Sequence, residues 1–190
     1  MLAYVFWHWP RPDIERGQYL DHLTAFHRTL AANKPPGFQR SVVFRIHGAN
    51  WLKTNGEAYE EWYLLDDSAA MDPLNDAAVS GVCEEPHNRV AREAADGTGG
   101  LYRLRAGAGD LADAKFATWL SKPTGVSYKD FYARLEPGVT LWGRQMTLGP
   151  TREFCIHSHT PIQAADSHEL TRIYPLPSAS SVFNSISSGQ

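Results

Sequence analysis

The chain has 190 residues, with 18 Lys and Arg against 21 Asp and Glu and a net charge of −3; this length suits one well-buried domain or two small ones fused. No stretch gathers several basic residues, which argues against a nucleic-acid partner, and no apolar run approaches the roughly 20 residues of a membrane span. The two cysteines, Cys83 and Cys155, lack CxxC spacing and histidines at zinc-ligand intervals, so reduced, buried thiols of a cytoplasmic protein are expected.

The opening MLAYVFWHW has no basic leader and no small-residue cleavage site, and reads as an aromatic strand from Ala3 to Trp9 rather than a signal peptide. Pro10-Arg11-Pro12 stops it, because proline lacks the amide donor a ladder needs. Asp13 is placed to cap a helix running to Ala32, with Leu20, Leu23, His27 and Leu30 on one stripe and Tyr19 and Phe26 beside it. Pro35-Pro36-Gly37 ends that helix. Phe38 to His47 alternates with period two and reads as a strand closed by Gly48, and Tyr59 to Leu65 reads as its antiparallel partner. Ser68 can cap a helical region that Pro73, Gly81 and Pro86 break into pieces before Asn88 to Ala95. Gly97-Thr98-Gly99-Gly100 reads as a turn into a fourth strand, Leu101 to Arg105. The order is β-α-β-β-α-β, a ferredoxin-like unit over residues 1–107 that is expected to bear the pocket.

Past a Gly-Ala-Gly-Asp join the pattern returns. Superposing Trp7 on Trp119 also places Tyr19 on Phe131 and Leu23 on Leu135, a constant shift of 112 positions. A recurring supersecondary unit is a fold signal because one unit cannot cover its own apolar face. Lys115 to Leu120, Ser127 to Leu135, Val139 to Leu148 and Arg152 to Ser158 repeat strand, shorter helix and hairpin. Pro161 to Ser167 is too short for a second helix, and Leu170 to Tyr174 reads as a fourth strand. The second unit thus spans 111–176, and the serine-rich residues 177–190 read as a weakly ordered tail.

Two such units in one chain, each opening on an aromatic strand and a proline-punctuated turn into a helix, resemble the dimeric α/β-barrel superfamily over about residues 1–175. That superfamily takes in stress-responsive barrel proteins, EthD-like proteins, antibiotic-biosynthesis monooxygenases, polyketide cyclases and heme-binding relatives. The resemblance implies an α+β fold in which two fused ferredoxin-like repeats form an intramolecular barrel, and a ligand cavity between sheet and helices of one unit. It implies either a cofactor-independent enzyme acting on a small aromatic or polyketide-like molecule, a heme protein with one inward histidine as axial ligand, or a non-catalytic ligand-binding or stress-related protein. With the barrel built from one chain, the oligomeric state is left open between monomer and homodimer.

Histidine titrates near neutrality and can act as acid, base or ligand, which makes the eight histidines the first candidates. His8 interrupts the aromatic strand, with Tyr4 and Phe6 on its face and Val5, Trp7 and Trp9 on the other. His22 and His27 lie about 140° apart on the first helix at roughly 100° per residue, so one inward and one outward is expected. Arg45, His47 and Tyr63 bring a fixed charge, a movable proton and a donor to neighbouring strands, subject to register. The expected catalytic set is His8, His27, Tyr63 and Arg45, with Trp7, Trp9, Tyr19, His22, Phe26, His47 and Trp62 as substrate-binding residues. His157 and His159, alternate on a strand, have metal-like spacing but no evident third ligand, and no metal is expected. There is no GxSxG elbow and no phosphate-cradling loop before a helix.

Overall fold

The computed structural model describes residues 1–176 apart from 48, 55, 137, 146–149 and 165; the expected closing role of Gly48, the end of the strand drawn to Leu148 and the tail 177–190 lie outside the described residues. The aromatic opening forms β1 (Leu2–Pro10), followed by α1 (Arg16–Ala32). The cap of α1 is Glu15, whose side chain accepts from the Gln18 amide, and not Asp13, which is engaged by Arg11. Strands β2 (Phe38–His47) and β3 (Glu57–Leu65) form the hairpin, and short 3₁₀ turns lead into α2 (Met71–Ala78) and α3 (Glu84–Glu93).

Strand β4 spans Ala94–Ala106 and takes in Gly97-Thr98-Gly99-Gly100. The expected turn is therefore strand: these glycines pair with β1 from Val5 to His8, and the ladder overrides glycine's weak strand propensity. Gly107 then turns the chain at φ 81°, where an added Cβ would meet the Val139 carbonyl at 2.5 Å. Strand β5 (Phe116–Leu120), α4 (Tyr128–Ala133), β6 (Thr140–Arg144) and β7 (Phe154–Ser158) follow. The expected last strand, Leu170–Tyr174, is present as β9 (Thr171–Tyr174), which pairs with β2 across the molecule, and a further short strand not expected from sequence, β8 (Ser167–Glu169), precedes it and pairs with β5.

The nine strands of the described residues make one antiparallel sheet in the order β8-β5-β7-β6-β4-β1-β3-β2-β9. Among the described residues β8 and β9 are its free ends, so the expected closed barrel is instead an open sheet. Its curvature brings the two halves face to face over an aromatic core of Trp7, Trp62, Tyr102, Trp119 and Trp142. The two tryptophans matched in sequence touch, with Trp7 and Trp119 ring centroids 5.4 Å apart. On the other face of the first four strands α1 seats Tyr19, Leu23, Phe26, His27 and Leu30, each large apolar group contributing about 2 kcal/mol by burial. A third cluster, built on Phe131, Leu141, Phe154 and Ile156, lies under α4.

Candidate functional site

Strand β3 lies between β1 and β2 and has no solvent face, yet it carries two adjacent glutamates. Period two sends them to opposite sides of the sheet. Glu60 enters the aromatic core between the two halves of the sheet, where the indole N–H groups of Trp7 and Trp62 donate to its two oxygens at 2.7 and 2.6 Å. Glu61 turns toward the helices, 3 % exposed, between Tyr59 and Tyr63.

Around Glu61 the sequence brings three partners from three elements. Nε2 of His8 on β1 contacts one carboxylate oxygen and Nε2 of His27 on α1 lies 3.2 Å from the other, both as charge contacts off the line of a hydrogen bond. The Tyr63 hydroxyl donates to Glu61 Oε2. With Nε2 turned to the carboxylate, His8 leaves Nδ1 for the Tyr19 hydroxyl, 2.5 Å away, and His27 leaves Nδ1 for Ser41 Oγ at 2.8 Å. Burial alone would raise the Glu61 carboxyl, but the imidazoles of His8 and then His27 override it and hold the group well below the usual carboxylate range. Burial, and next the Glu61 charge, push the phenols of Tyr63, Tyr19 and Tyr4 up. The result is an ionised carboxylate ringed by neutral phenols.

This cluster forms one end of a cavity of about 580 Å³ between the sheet and α1, α2 and α3. Its polar lining is Glu61, His8, Tyr4, Tyr19, Tyr63, Asn75, His87 and Asp96; the rest is mostly apolar, including Phe6, Phe26, Met71, Leu74 and Val90. Such a space, mostly apolar with a few convergent polar groups, is the usual form of a small-molecule site.

Of the residues expected from sequence, His8, Tyr19, Phe26 and Tyr63 line the cavity, and His27 stands directly behind it on Glu61. His22 points away: its Nδ1 is 2.9 Å from Glu93 Oε1, a tie between α1 and α3. Trp7 and Trp62 do not shape the cavity; the same alternation that aims His8 at the helices sends them, with Trp9 packed alongside, to the core between the two halves of the sheet. Arg45 and Tyr63 are not brought together either. Arg45 pairs opposite Tyr59, whereas Ser41 faces Tyr63, and Arg45 and His47 instead approach Glu57 at 3.6 and 3.7 Å. His157 is buried, edge-on to Trp62 at 4.6 Å, while His159 is exposed; both border a second cavity of about 320 Å³. Among the described residues no three metal-ligating side chains group closely enough to hold an ion. Burial drives the His157 imidazole down to about 4, against the pull of Glu60 and with a further push from His168.

Glu61, Tyr4, Phe6, Asn75, His87 and Gly97 were not singled out as site residues. The signal for Glu61 was present as Glu60-Glu61 inside an otherwise apolar strand that reads as the middle of a hairpin. A charge in a strand covered on both faces must have buried partners.

No protein-family model and no curated protein matches the sequence. Among solved structures the chain is similar to a Lactobacillus acidophilus NCFM protein named "putative monooxygenase", with a TM-score of 0.52 and 12 % sequence identity, over 90 % of this chain and 94 % of that one. The likeness is one of fold. No helix among the described residues is long and apolar enough to cross a membrane.

Proposed function

We propose that the protein is a cofactor-independent enzyme that moves protons on a small aromatic or polyketide-like substrate held in the cavity between the first four strands and their helices. The observation that carries this reading is the ionised Glu61, buried at the cavity end between His8, His27 and Tyr63. Glu61 and His8 act as a dyad: the carboxylate stabilises the imidazolium that forms when His8 takes a proton, and the Tyr19 hydroxyl on His8 Nδ1 links the dyad to the cavity. His27 and Ser41 hold Glu61 from behind, and Tyr63 fixes its orientation. Proton transfer to or from an enolisable carbon or a phenol is a step common to cyclisation, dehydration, decarboxylation and oxygenation, so the dyad suits that group of reactions. The fold likeness to a protein named as a monooxygenase favours oxygenation within it. In the same reading the strand blocks β4-β1-β3-β2 and β8-β5-β7-β6 are two fused ferredoxin-like units of the dimeric α/β-barrel type, the second shortened. The protein works in the cytoplasm as a monomer or homodimer.

Hydrogen-to-deuterium exchange tests the reading. Enolisable aryl ketones and phenols are incubated with protein in D₂O and followed by NMR. Wild type is expected to speed exchange at the acidic position and Glu61→Gln to slow it by about 100-fold or more. Ligands that bind in the cavity with no accelerated exchange contradict it.

A second reading, heme binding, is favoured by one observation. The ring nitrogens of His8 and His27 are engaged, but His87 lines the cavity from α3 and within the described residues uses only Nδ1, 3.3 Å from Asn88 Oδ1. His87 would hold the iron, and the heme would supply redox chemistry. A Soret band on adding hemin, lost in His87→Ala, would select this reading over the first.

A further inference from the structure

Strand β4 carries glycine at two positions whose side chains would lie on the cavity face. Gly97 is paired with His8 and Gly99 with Phe6, and residues directly opposite share a face of the sheet. Neither glycine has a positive φ, so the backbone does not demand glycine at either place. Glycine inside a strand weakens it, and one reason for it there is close approach of another group.

That group is visible on both. A Cβ added to Gly97 would sit 2.4 Å from Phe6 Cζ and 2.8 Å from Phe6 Cε2, and one added to Gly99 would sit 2.9 Å from the Tyr4 hydroxyl and 3.0 Å from Tyr4 Cε2. The rings of Tyr4 and Phe6 therefore recline sideways over bare backbone. They also lie nearly parallel to one another: Tyr4 and Phe6 are inclined by 19° with centroids 6.3 Å apart, and Phe6 and His8 by 19° at 5.4 Å. Three side chains on one face of β1 thus make a run of nearly parallel rings that ends at the Glu61–His8 dyad.

We propose that Gly97 and Gly99 are specificity-determining residues: by leaving β4 bare they let Tyr4 and Phe6 lie flat, and so admit a planar ligand of several fused rings with its acidic hydroxyl toward His8 and Glu61. The proposal rests on the aromatic-substrate reading above and adds what selects ligand shape. An alanine at 97 displaces the Phe6 ring away from β4, toward the cavity that Phe6 lines. A wide flat ligand loses its platform, whereas a single ring still fits beside the dyad.

The test is a double-mutant cycle read by calorimetry with two probes, alizarin, a planar three-ring dihydroxyanthraquinone, and phenol. Gly97→Ala is expected to weaken alizarin at least about tenfold, the scale of a misplaced methyl in an apolar pocket, and to change phenol by less than about twofold. Phe6→Leu removes the ring that Cβ would strike, so adding Gly97→Ala to it is expected to change alizarin binding by no more than about twofold, a non-additivity diagnostic of direct contact. Unchanged alizarin binding in Gly97→Ala, equal loss of both probes, or the same loss in the Phe6→Leu background overturns the proposal. A wild type that binds neither probe instead removes the aromatic-ligand reading on which it rests. Should Gly97→Ala fail to fold, Gly99→Ala with Tyr4→Leu carries the same cycle.

Discussion

The two halves of the sheet share a strand order and differ in what they place under their helices. Register makes the comparison position by position. Trp7 faces Glu60 and Trp119 faces Cys155, so the counterparts of His8 and Glu61 are Leu120 and Ile156. In the first half those positions hold a carboxylate–imidazole dyad beneath a 17-residue helix and two shorter ones, with a cavity between. In the second half they hold two apolar side chains that pack with Phe131 and Phe154 under a six-residue helix. One face has been kept open and charged, and the other filled. A buried carboxylate is stable only with its partners in place, so the second half shows what the scaffold requires and the first what has been added.

Breaking the dyad should have the largest effect. Besides the loss of proton exchange, Glu61→Gln should lower the unfolding free energy by roughly 3 kcal/mol, because it unpairs two buried histidines at once; urea titration measures it. Transplanting only the charge is the converse: Ile156→Glu should cost a similar amount, roughly 3 kcal/mol, for want of any imidazole beside it. Adding Leu120→His should recover part of that loss, since residue 120 stands to 156 as His8 stands to Glu61. No recovery would mean that strand register alone does not define the dyad.

Acid separates the halves more gently. The folded state keeps His157 neutral down to about pH 4, whereas the unfolded chain takes up that proton near 6.5, so the unfolded state binds more protons between the two. Stability from this residue is complete above the upper value and is lost as pH falls toward the lower one, by at most about 3 kcal/mol. Glu61 acts later: its depressed carboxyl contributes stability present above the ordinary carboxylate range and lost only as pH falls below it. Stability measured against pH should therefore fall in two steps, and His157→Leu should remove the upper one alone. The smallest expected effect is at α4, where Ser127 caps the helix through the Asp130 amide; Ser127→Ala should cost about 1 kcal/mol and leave ligand binding untouched.

Much of the architecture was legible in the sequence because periodicity records which face is buried. The alternation of β1 placed His8 with Tyr4 and Phe6, and the stripe on α1 turned His27 inward and His22 outward, as observed. What escaped notice depended on partners remote in sequence. Glycines 97 to 100 look like a turn until β1 is laid against them. The three residues of β8 show no strand pattern of their own and become a strand only because the edge of β5 is there to pair with them. Arg45 and Tyr63 looked like a pair because their register was unknown, and a displacement along the hairpin separates them. Glu61 has no local pattern to announce it, since its meaning lies in His8, 53 residues before it, and His27 on the helix between.

The eight histidines are spread over both halves and report on the comparison directly. Histidine-selective ¹⁵N NMR during titration with a phenolic aromatic ligand is the most direct measurement. The account predicts that ligand shifts the ring signals of His8, His27 and His87, which line or adjoin the cavity, and leaves His157, His159 and His168 in place. Shifts confined to the second-half histidines, with His8 and His27 unmoved, would contradict it.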